Sequence, residues 1–271
     1  MQVGIVGGGS IARLFLEHIA RGELGDAKVM AILGREGSSS CRQLARTYAV
    51  PFMSDVEALI RARPNAVVEA AAHEWVEQYA ERILRAGIGL IVLSAGAMAD
   101  DALRARMEDA ARSTGALLYV PSGGIGALDA IKAAAVAGLD EVAIRTAKPP
   151  RAWRDIPYVQ SLGVDLDRLT EPCILYDGPA RAGVKHFPQN VNIAAVLSMA
   201  GIGFDRTRLV AVADPHIERN THVITASGIS GDISITLRNV PSPDNPKTAW
   251  LACYSALAAL KQLQTPVRYG T

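Results

Sequence analysis

Two segments in the second half of the chain carry more ionisable and hydrogen-bonding groups than folding requires. One is Asp214-Pro215-His216 followed by Asn220-Thr221-His222; the other is Lys185-His186-Phe187-Pro188-Gln189-Asn190-Val191-Asn192. Asn220 and His222 lie two residues apart, so they share one side of a strand that already includes Asn220. A histidine with a pKa near neutrality, held on a rigid strand, can move protons to and from an amine or a water. Either histidine also suits an ordinary structural place. In the other segment Pro188 and Asn190 suit a helix entrance, which accounts for one asparagine. It does not account for Lys185, His186 and both asparagines together.

A third constellation stands at the start of the chain. An apolar strand (Val3, Ile5, Val6) runs into Gly7-Gly8-Gly9-Ser10-Ile11-Ala12, of the form G-x-G-x-x-A. Gly7 allows a tight turn, Gly9 lets backbone N–H groups approach a pyrophosphate, and the small Ala12 lets the helix lie close to the strand. The pattern alone also fits an ordinary strand-to-helix turn, but its place between a clear strand and a clear helix, Ile11–Arg21, favours a dinucleotide. After the next strand, Lys28–Leu33, such folds usually place an acidic residue for the adenosine ribose. This chain has Gly34-Arg35-Glu36-Gly37 and then Ser38 to Ser40. Arg35 and the hydroxyls suit a 2′-phosphate, Glu36 suits a ribose hydroxyl, and a solvated loop needs neither. Two further turns follow strands. Ala70-Ala71-Ala72-His73 offers room at Ala71 for a cofactor and His73 for its nicotinamide end, or as a helix cap. Pro121-Ser122-Gly123-Gly124-Ile125-Gly126 offers N–H groups to an anion or an amide, or serves as an interdomain joint.

The elements that must hold these residues alternate in the first part of the chain. Strands at Lys28–Leu33, Val50–Met53, Ala66–Glu69, Leu90–Leu93 and Ala116–Val120 are separated by helices at Ser40–Tyr48, Val56–Arg61, Trp75–Ala86 and Asp100–Thr114. That is the pattern of an α/β doubly wound parallel sheet, a Rossmann domain. A helix over Ala127–Ala137 follows, and from Glu141 the composition changes to short alternating strands. Then come an irregular stretch from Trp153 to Thr170, a strand Cys173–Tyr176, a helix Ile193–Ala200 and a hairpin of Thr221–Ser227 with Asp232–Arg238. This reads as a second, α+β domain with a mixed sheet. The apolar helix Thr248–Leu263 is expected to pack back on the first domain. The expected division is therefore 1–120 with 245–271 for the nucleotide domain, and 121–244 for substrate binding and dimerisation.

At 271 residues the chain is long enough for two cores, and its net charge of +1 is spread without a basic block. Nucleic-acid and anionic-membrane binding therefore find no support. No basic leader or apolar run of bilayer length is visible, so the expectation is a soluble cytoplasmic protein. Three scattered cysteines make neither a disulfide framework nor a C-x-x-C metal pair, and no metal is expected.

Taken in order, GIVGGGSIA, VVEAAAHEWV, LSAGAMAD, VPSGGIGALDAIKAA, AKPP, VKHFPQNVNIAAVLSMAGIG and DPHIERNTHVI resemble the L-aspartate dehydrogenase family over nearly the whole chain. The likeness is greater than to dihydrodipicolinate reductases or homoserine dehydrogenases, which share the two-domain plan. The resemblance implies NAD- or NADP-dependent oxidation of L-aspartate to iminoaspartate, which yields oxaloacetate and ammonia or feeds pyridine nucleotide synthesis. It implies cofactor contacts at Gly7 to Ala12 (Gly7, Gly9, Ser10, Ile11, Ala12), at Gly124 and at Asn190. It also implies that His222 is the acid/base, with His216 as the rival a misalignment would promote. The family usually has alanine where Gly124 stands, which matters little to a backbone N–H contact. Hydride loss from aspartate needs a neutral amine, so a base must take the ammonium proton, and the imine needs a positioned water. The two substrate carboxylates need cations or N–H groups, for which Lys148, Lys185, His186 and the turn at Ser122 are candidates, with Asn192 and Asn220 as further polar contacts. A related dehydrogenase of another small dicarboxylate and a non-catalytic dinucleotide sensor are the alternatives. A homodimer is expected.

Overall fold

The computed structural model describes residues 1–188, 191–242, 245–267 and 269. It divides into two units, Met1–Pro121 with the segment beginning at Cys253, and Ser122–Ala252. The strand over residues 245–249 belongs to the second unit, so the chain rejoins the first at Cys253 rather than at residue 245.

In the first unit, six parallel strands stand in the order β3-β2-β1-β4-β5-β6. They are β1 (Gln2–Val6), β2 (Lys28–Leu33), β3 (Phe52–Met53), β4 (Ala66–Glu69), β5 (Gly89–Val92) and β6 (Leu118–Tyr119). Between them run α1 (Ser10–Ala20), α2 (Ser39–Thr47), α3 (Val56–Ala62), α4 (His73–Arg85) and α5 (Asp101–Thr114). Strands buried on both faces need near-continuous apolar runs, and β4 and β5 are buried at every position. The core joins Val3, Ile5, Ile32, Val68 and Ile91 of the sheet to Phe15 and Leu16 of α1. Ala256, Leu257 and Leu260 complete it from the last helix, Trp250–Gln262. Capping side chains set the entries of α2, α3 and α5: Ser38, Asp55 and Asp100 accept backbone N–H groups of the first turn.

The second unit is built on a five-stranded mixed sheet, order β11-β10-β7-β9-β8. Its strands are β7 (Leu139–Lys148), β8 (Cys173–Pro179), β9 (Thr207–Ala213), β10 (Asn220–Gly228) and β11 (Gly231–Asn239). The helices are α6 (Leu128–Ala137), α7 (Pro157–Ser161), α8 (Ala180–His186) and α9 (Asn192–Ala200). On central β7, Val142, Ile144, Thr146 and Lys148 are buried while Glu141 and Arg145 are exposed. A Cβ at Gly201, just past α9, would touch Val142 and Ile131, which places the buried side of β7 under α6 and α9.

Several boundaries differ from the sequence reading. The alternation after Glu141 is one ten-residue strand rather than several short ones. The stretch from Trp153 to Thr170 holds a short helix and a fully buried Trp153, whose indole N–H donates to the Val212 carbonyl at 3.0 Å. Strand β9 and helix α8 were not anticipated. The basic segment thus opens as the last turn of α8 rather than as the entrance to α9. No helix among the described residues is long and apolar enough to cross a membrane.

Candidate active site

A cleft of about 840 Å³ lies at the carboxyl ends of the first unit's strands. Its floor is Val6 to Gly9, and its walls include Gly34, Arg35, Ala70 to Ala72 and Trp75. The three glycines act differently. Gly7 has φ +104°, and a Cβ there would lie 2.3 Å from the Ala70 carbonyl oxygen. A Cβ at Gly8 would collide with Cys41 and Ser40 of α2 at 2.7–2.8 Å. Gly9 has nothing within 4 Å of its missing Cβ, so its open side faces free space. Gly9 also precedes α1 without a side-chain cap, which leaves the first-turn N–H groups available to an anion. An uncapped helix start, a glycine kept clear and a cleft of this size fit the pyrophosphate of NAD(P).

Of the other residues expected at the cofactor, Arg35 and Ala71 line the cleft. Ala12 is fully buried in the core and Ile11 packs against it, so their part is to seat α1. Ser10 and His73 are the first residues of α1 and α4. Asn190 lies outside the described residues.

The strand ending in Glu69 conceals a carboxylate that the sequence reading passed over. Glu69 is 0 % exposed and accepts four hydrogen bonds: from Ala71 N–H (2.8 Å), Leu93 N–H (3.1 Å), Ser94 N–H (2.9 Å) and the Ser94 hydroxyl (2.8 Å). It ties the loops after β4 and β5 together and so fixes the Ala70–Ala72 wall. Burial pushes its pKa upward, against the pull of the four donors. An acidic residue closing an otherwise apolar strand is the signal that could have found it.

The second unit carries its own polar concentration. Five of the nine buried polar or charged side chains among the described residues are Thr146, Lys148, Asn220, His222 and Asn239, all at one end of β7, β10 and β11. Burying them without a use would cost stability, which makes that end the candidate catalytic site. His222 lies opposite Thr146 in the β7–β10 ladder, and its Nδ1 is 3.3 Å from the Thr146 Oγ1. Asn220 lies opposite Asn239, whose amide donates to the Gly124 carbonyl at 2.6 Å. That bond ties the Ser122–Gly126 turn to the sheet end. Lys148 is 4 % exposed, and its ammonium sits 5.2 Å over the Trp153 ring. Burial lowers its pKa to about 8, and burial together with the Lys148 charge lowers His222 to about 3. The imidazole is therefore neutral at physiological pH, with one ring nitrogen able to accept a proton.

The remaining sequence candidates separate. His216 is exposed in a turn, its Nε2 3.6 Å from a Glu171 carboxylate oxygen. Lys185 is exposed at the end of α8, and the His186 ring stacks on Tyr158 at 4.0 Å in an aromatic cluster with Tyr176 and Phe187. Asn192 opens α9. Thr146 and Asn239 were not singled out from sequence; the strand register that sets them opposite His222 and Asn220 is what reveals them. No cluster of three or more metal-ligating side chains occurs among the described residues.

Comparison with known proteins places both halves. Residues 129–263 match the family model described as aspartate dehydrogenase, C-terminal, and residues 7–121 match that of the homoserine dehydrogenase NAD-binding domain. An L-aspartate dehydrogenase of Methanocella arvoryzae is 39% identical over 270 residues, covering 100% of this chain and 99% of that protein. L-aspartate dehydrogenase 2 of Bordetella bronchiseptica is 42% identical, covering 96% of each. The crystal structure of aspartate dehydrogenase from Thermotoga maritima superposes with a TM-score of 0.76 at 27% identity, covering 100% of this chain and 99% of that one.

Proposed function

Because the chain belongs to the L-aspartate dehydrogenase family, we propose that it catalyses the reversible NAD(P)-dependent oxidative deamination of L-aspartate. The products are iminoaspartate and, after hydrolysis, oxaloacetate and ammonia. The observation that carries this reading is the full-length likeness to relatives of that name. NAD(P) held at the Gly7–Ala12 turn would supply the redox chemistry, as the hydride acceptor. The protein's residues bind, orient and move protons.

His222 is the acid/base in this reading. Thr146 holds the Nδ1 side of the ring, which leaves Nε2 for the substrate. Neutral in the free protein, the imidazole accepts the ammonium proton, releases it to solvent, and in its neutral form again takes a proton from the water that attacks the imine. Lys148 is charged at neutral pH and attracts a substrate carboxylate. The two substrate carboxylates beside the pair offset the repulsion between Lys148 and a protonated His222, which makes His222 a stronger base once aspartate is bound. Asn220, Asn192 and the Ser122–Gly124 turn supply further polar contacts. Lys185 and His186, exposed and ring-stacked respectively, have no part in it. The reading includes a cytoplasmic homodimer, which sedimentation distinguishes from a 28.7 kDa monomer.

Initial rates of NAD(P)H formation on L-aspartate, L-glutamate, L-homoserine and malate at alkaline pH test the assignment. Aspartate should be strongly preferred. A protein that binds the cofactor but forms no NAD(P)H with aspartate would overturn it.

A further inference from the structure

We infer that the loop from Gly34 to Ser40 is a 2′-phosphate subsite, with Arg35 as its cation, and that this chain binds NADP(H) in preference to NAD(H). The inference rests on the dinucleotide reading of the cleft and concerns which of the two cofactors that cleft selects.

The sequence presents a cation and an anion side by side at the position that reads the adenosine ribose, and the structure separates their roles. Arg35 lines the cleft with the hydroxyl-bearing Ser38, Ser40 and Ser54. Its guanidinium makes no ion pair or hydrogen bond among the described residues, so its charge is available to a ligand.

Glu36 is not among the cleft's lining residues. Its carboxylate meets the Arg42 guanidinium at 2.9 Å, and the same guanidinium donates to the Glu36 carbonyl at 2.8 and 3.1 Å. Arg42 is held in turn by the Phe52 ring, 4.3 Å from its Cζ. A hydrogen bond from Ser54 and the charge of Arg42 lower the Glu36 pKa, so this carboxylate is ionised and already matched.

A ribose-reading acid needs a carboxylate free to accept two hydroxyls, and this one is engaged. A phosphomonoester carries ≈ −1.5 to −2 charge at pH 7 and is met by a guanidinium, which Arg35 supplies; the Ser54 hydroxyl is engaged with Glu36, and of the Ser38 and Ser40 hydroxyls, 3.4 Å apart, one donates to the other and leaves the second to donate outward. With Arg35 and Arg42 against Glu36, the loop keeps one net positive charge.

The test is equilibrium binding, read by quenching of the cleft-lining Trp75 in the whole protein. NADPH should bind at least ~10-fold more tightly than NADH, with the steeper dependence on salt. Arg35→Ala should remove that preference by weakening NADPH ~10-fold or more while leaving NADH within about twofold, the scale of one charge-assisted contact. Arg42→Ala should free Glu36 and shift the ratio toward NADH, and adding Glu36→Gln should restore it. NADH binding as tightly as NADPH, or Arg35→Ala weakening both alike, would overturn the inference. Failure to bind either cofactor would instead remove the dinucleotide reading beneath it.

Discussion

Thr146 and His222 face one another across the β7–β10 ladder with Oγ1 and Nδ1 3.3 Å apart, and both are buried. A ring held on one nitrogen presents the other in a fixed direction. Thr146→Val keeps the shape and removes the hydroxyl. It is expected to lower kcat ~5-fold while the aspartate KM and the cofactor Kd stay within about twofold, because a neutral hydrogen bond is worth about 1 kcal/mol. Thr146→Ser should restore most of the rate. Equal loss in the Val and Ser variants would point to packing rather than to orientation of the ring.

Removing the imidazole itself should be more severe. His222→Ala is expected to lose ~100-fold or more in turnover with cofactor affinity retained, the usual scale for a general acid/base. His216→Ala, in the exposed turn, should change turnover less than about twofold. Steady-state rates together with cofactor titration read both, and the opposite ranking would transfer the role to His216.

The same histidine makes folding sensitive to acid. Its pKa falls from an ordinary value near 6.5 when unfolded to about 3 when folded. Between those limits the unfolded chain binds the proton and the folded chain does not. Stability is therefore lost as pH falls below 6.5, at about 1.4 kcal/mol per pH unit from this group. Denaturant melts of the wild type and His222→Asn at pH 7 and pH 5 should show the wild type losing about 2 kcal/mol more. Parallel losses would mean that His222 titrates normally in the folded state.

Lys148 carries the opposite conflict, between stability and use. Its folded pKa of about 8 lies below the ordinary 10.5, so its charge disfavours the folded state at neutral pH. That cost fades as pH rises from 8 to 10.5 and the folded side chain gives up its proton first. Lys148→Met should therefore raise stability at pH 7, on the order of 1–3 kcal/mol, with the gain shrinking toward pH 10.5. The same variant should raise the aspartate KM ~100-fold and leave cofactor binding alone. A destabilised variant with an unchanged KM would make Lys148 structural.

How much of this was legible depends on whether the physics was local. The glycine turn and the parallel α/β alternation declare themselves through motif and periodicity, and His222 is singled out by its place in the N-x-H of Asn220 to His222. Thr146 and Asn239 do not, because a threonine and an asparagine in strands are unremarkable until a ladder sets them opposite His222 and Asn220. Glu69 escaped notice because its partners, Leu93 and Ser94, lie some two dozen residues downstream. Lys185 and His186 stand out in sequence as clustered polarity, and only the fold shows that the end of a short helix exposes one and stacks the other on Tyr158.

The opening turn allows fold and ligand to be tested one glycine apart. At Gly7 a Cβ meets the Ala70 carbonyl oxygen at 2.3 Å and the backbone sits at φ +104°, so Gly7→Ala must displace backbone whether or not a cofactor binds. It is expected to destabilise the protein by roughly 2–4 kcal/mol, from strain and backbone collision together. At Gly9 a Cβ meets no protein atom within 4 Å, so Gly9→Ala should leave the apoprotein's Tm within about 2 °C. Its methyl group projects instead into the space where a pyrophosphate approaches the backbone. Gly9→Ala is therefore expected to weaken NADPH and NADH alike by ~10-fold or more, unlike Arg35→Ala. Thermal melts of the apoprotein beside cofactor titrations of each variant separate the two roles. Gly9→Ala binding both cofactors as tightly as the wild type would place the pyrophosphate elsewhere in the cleft.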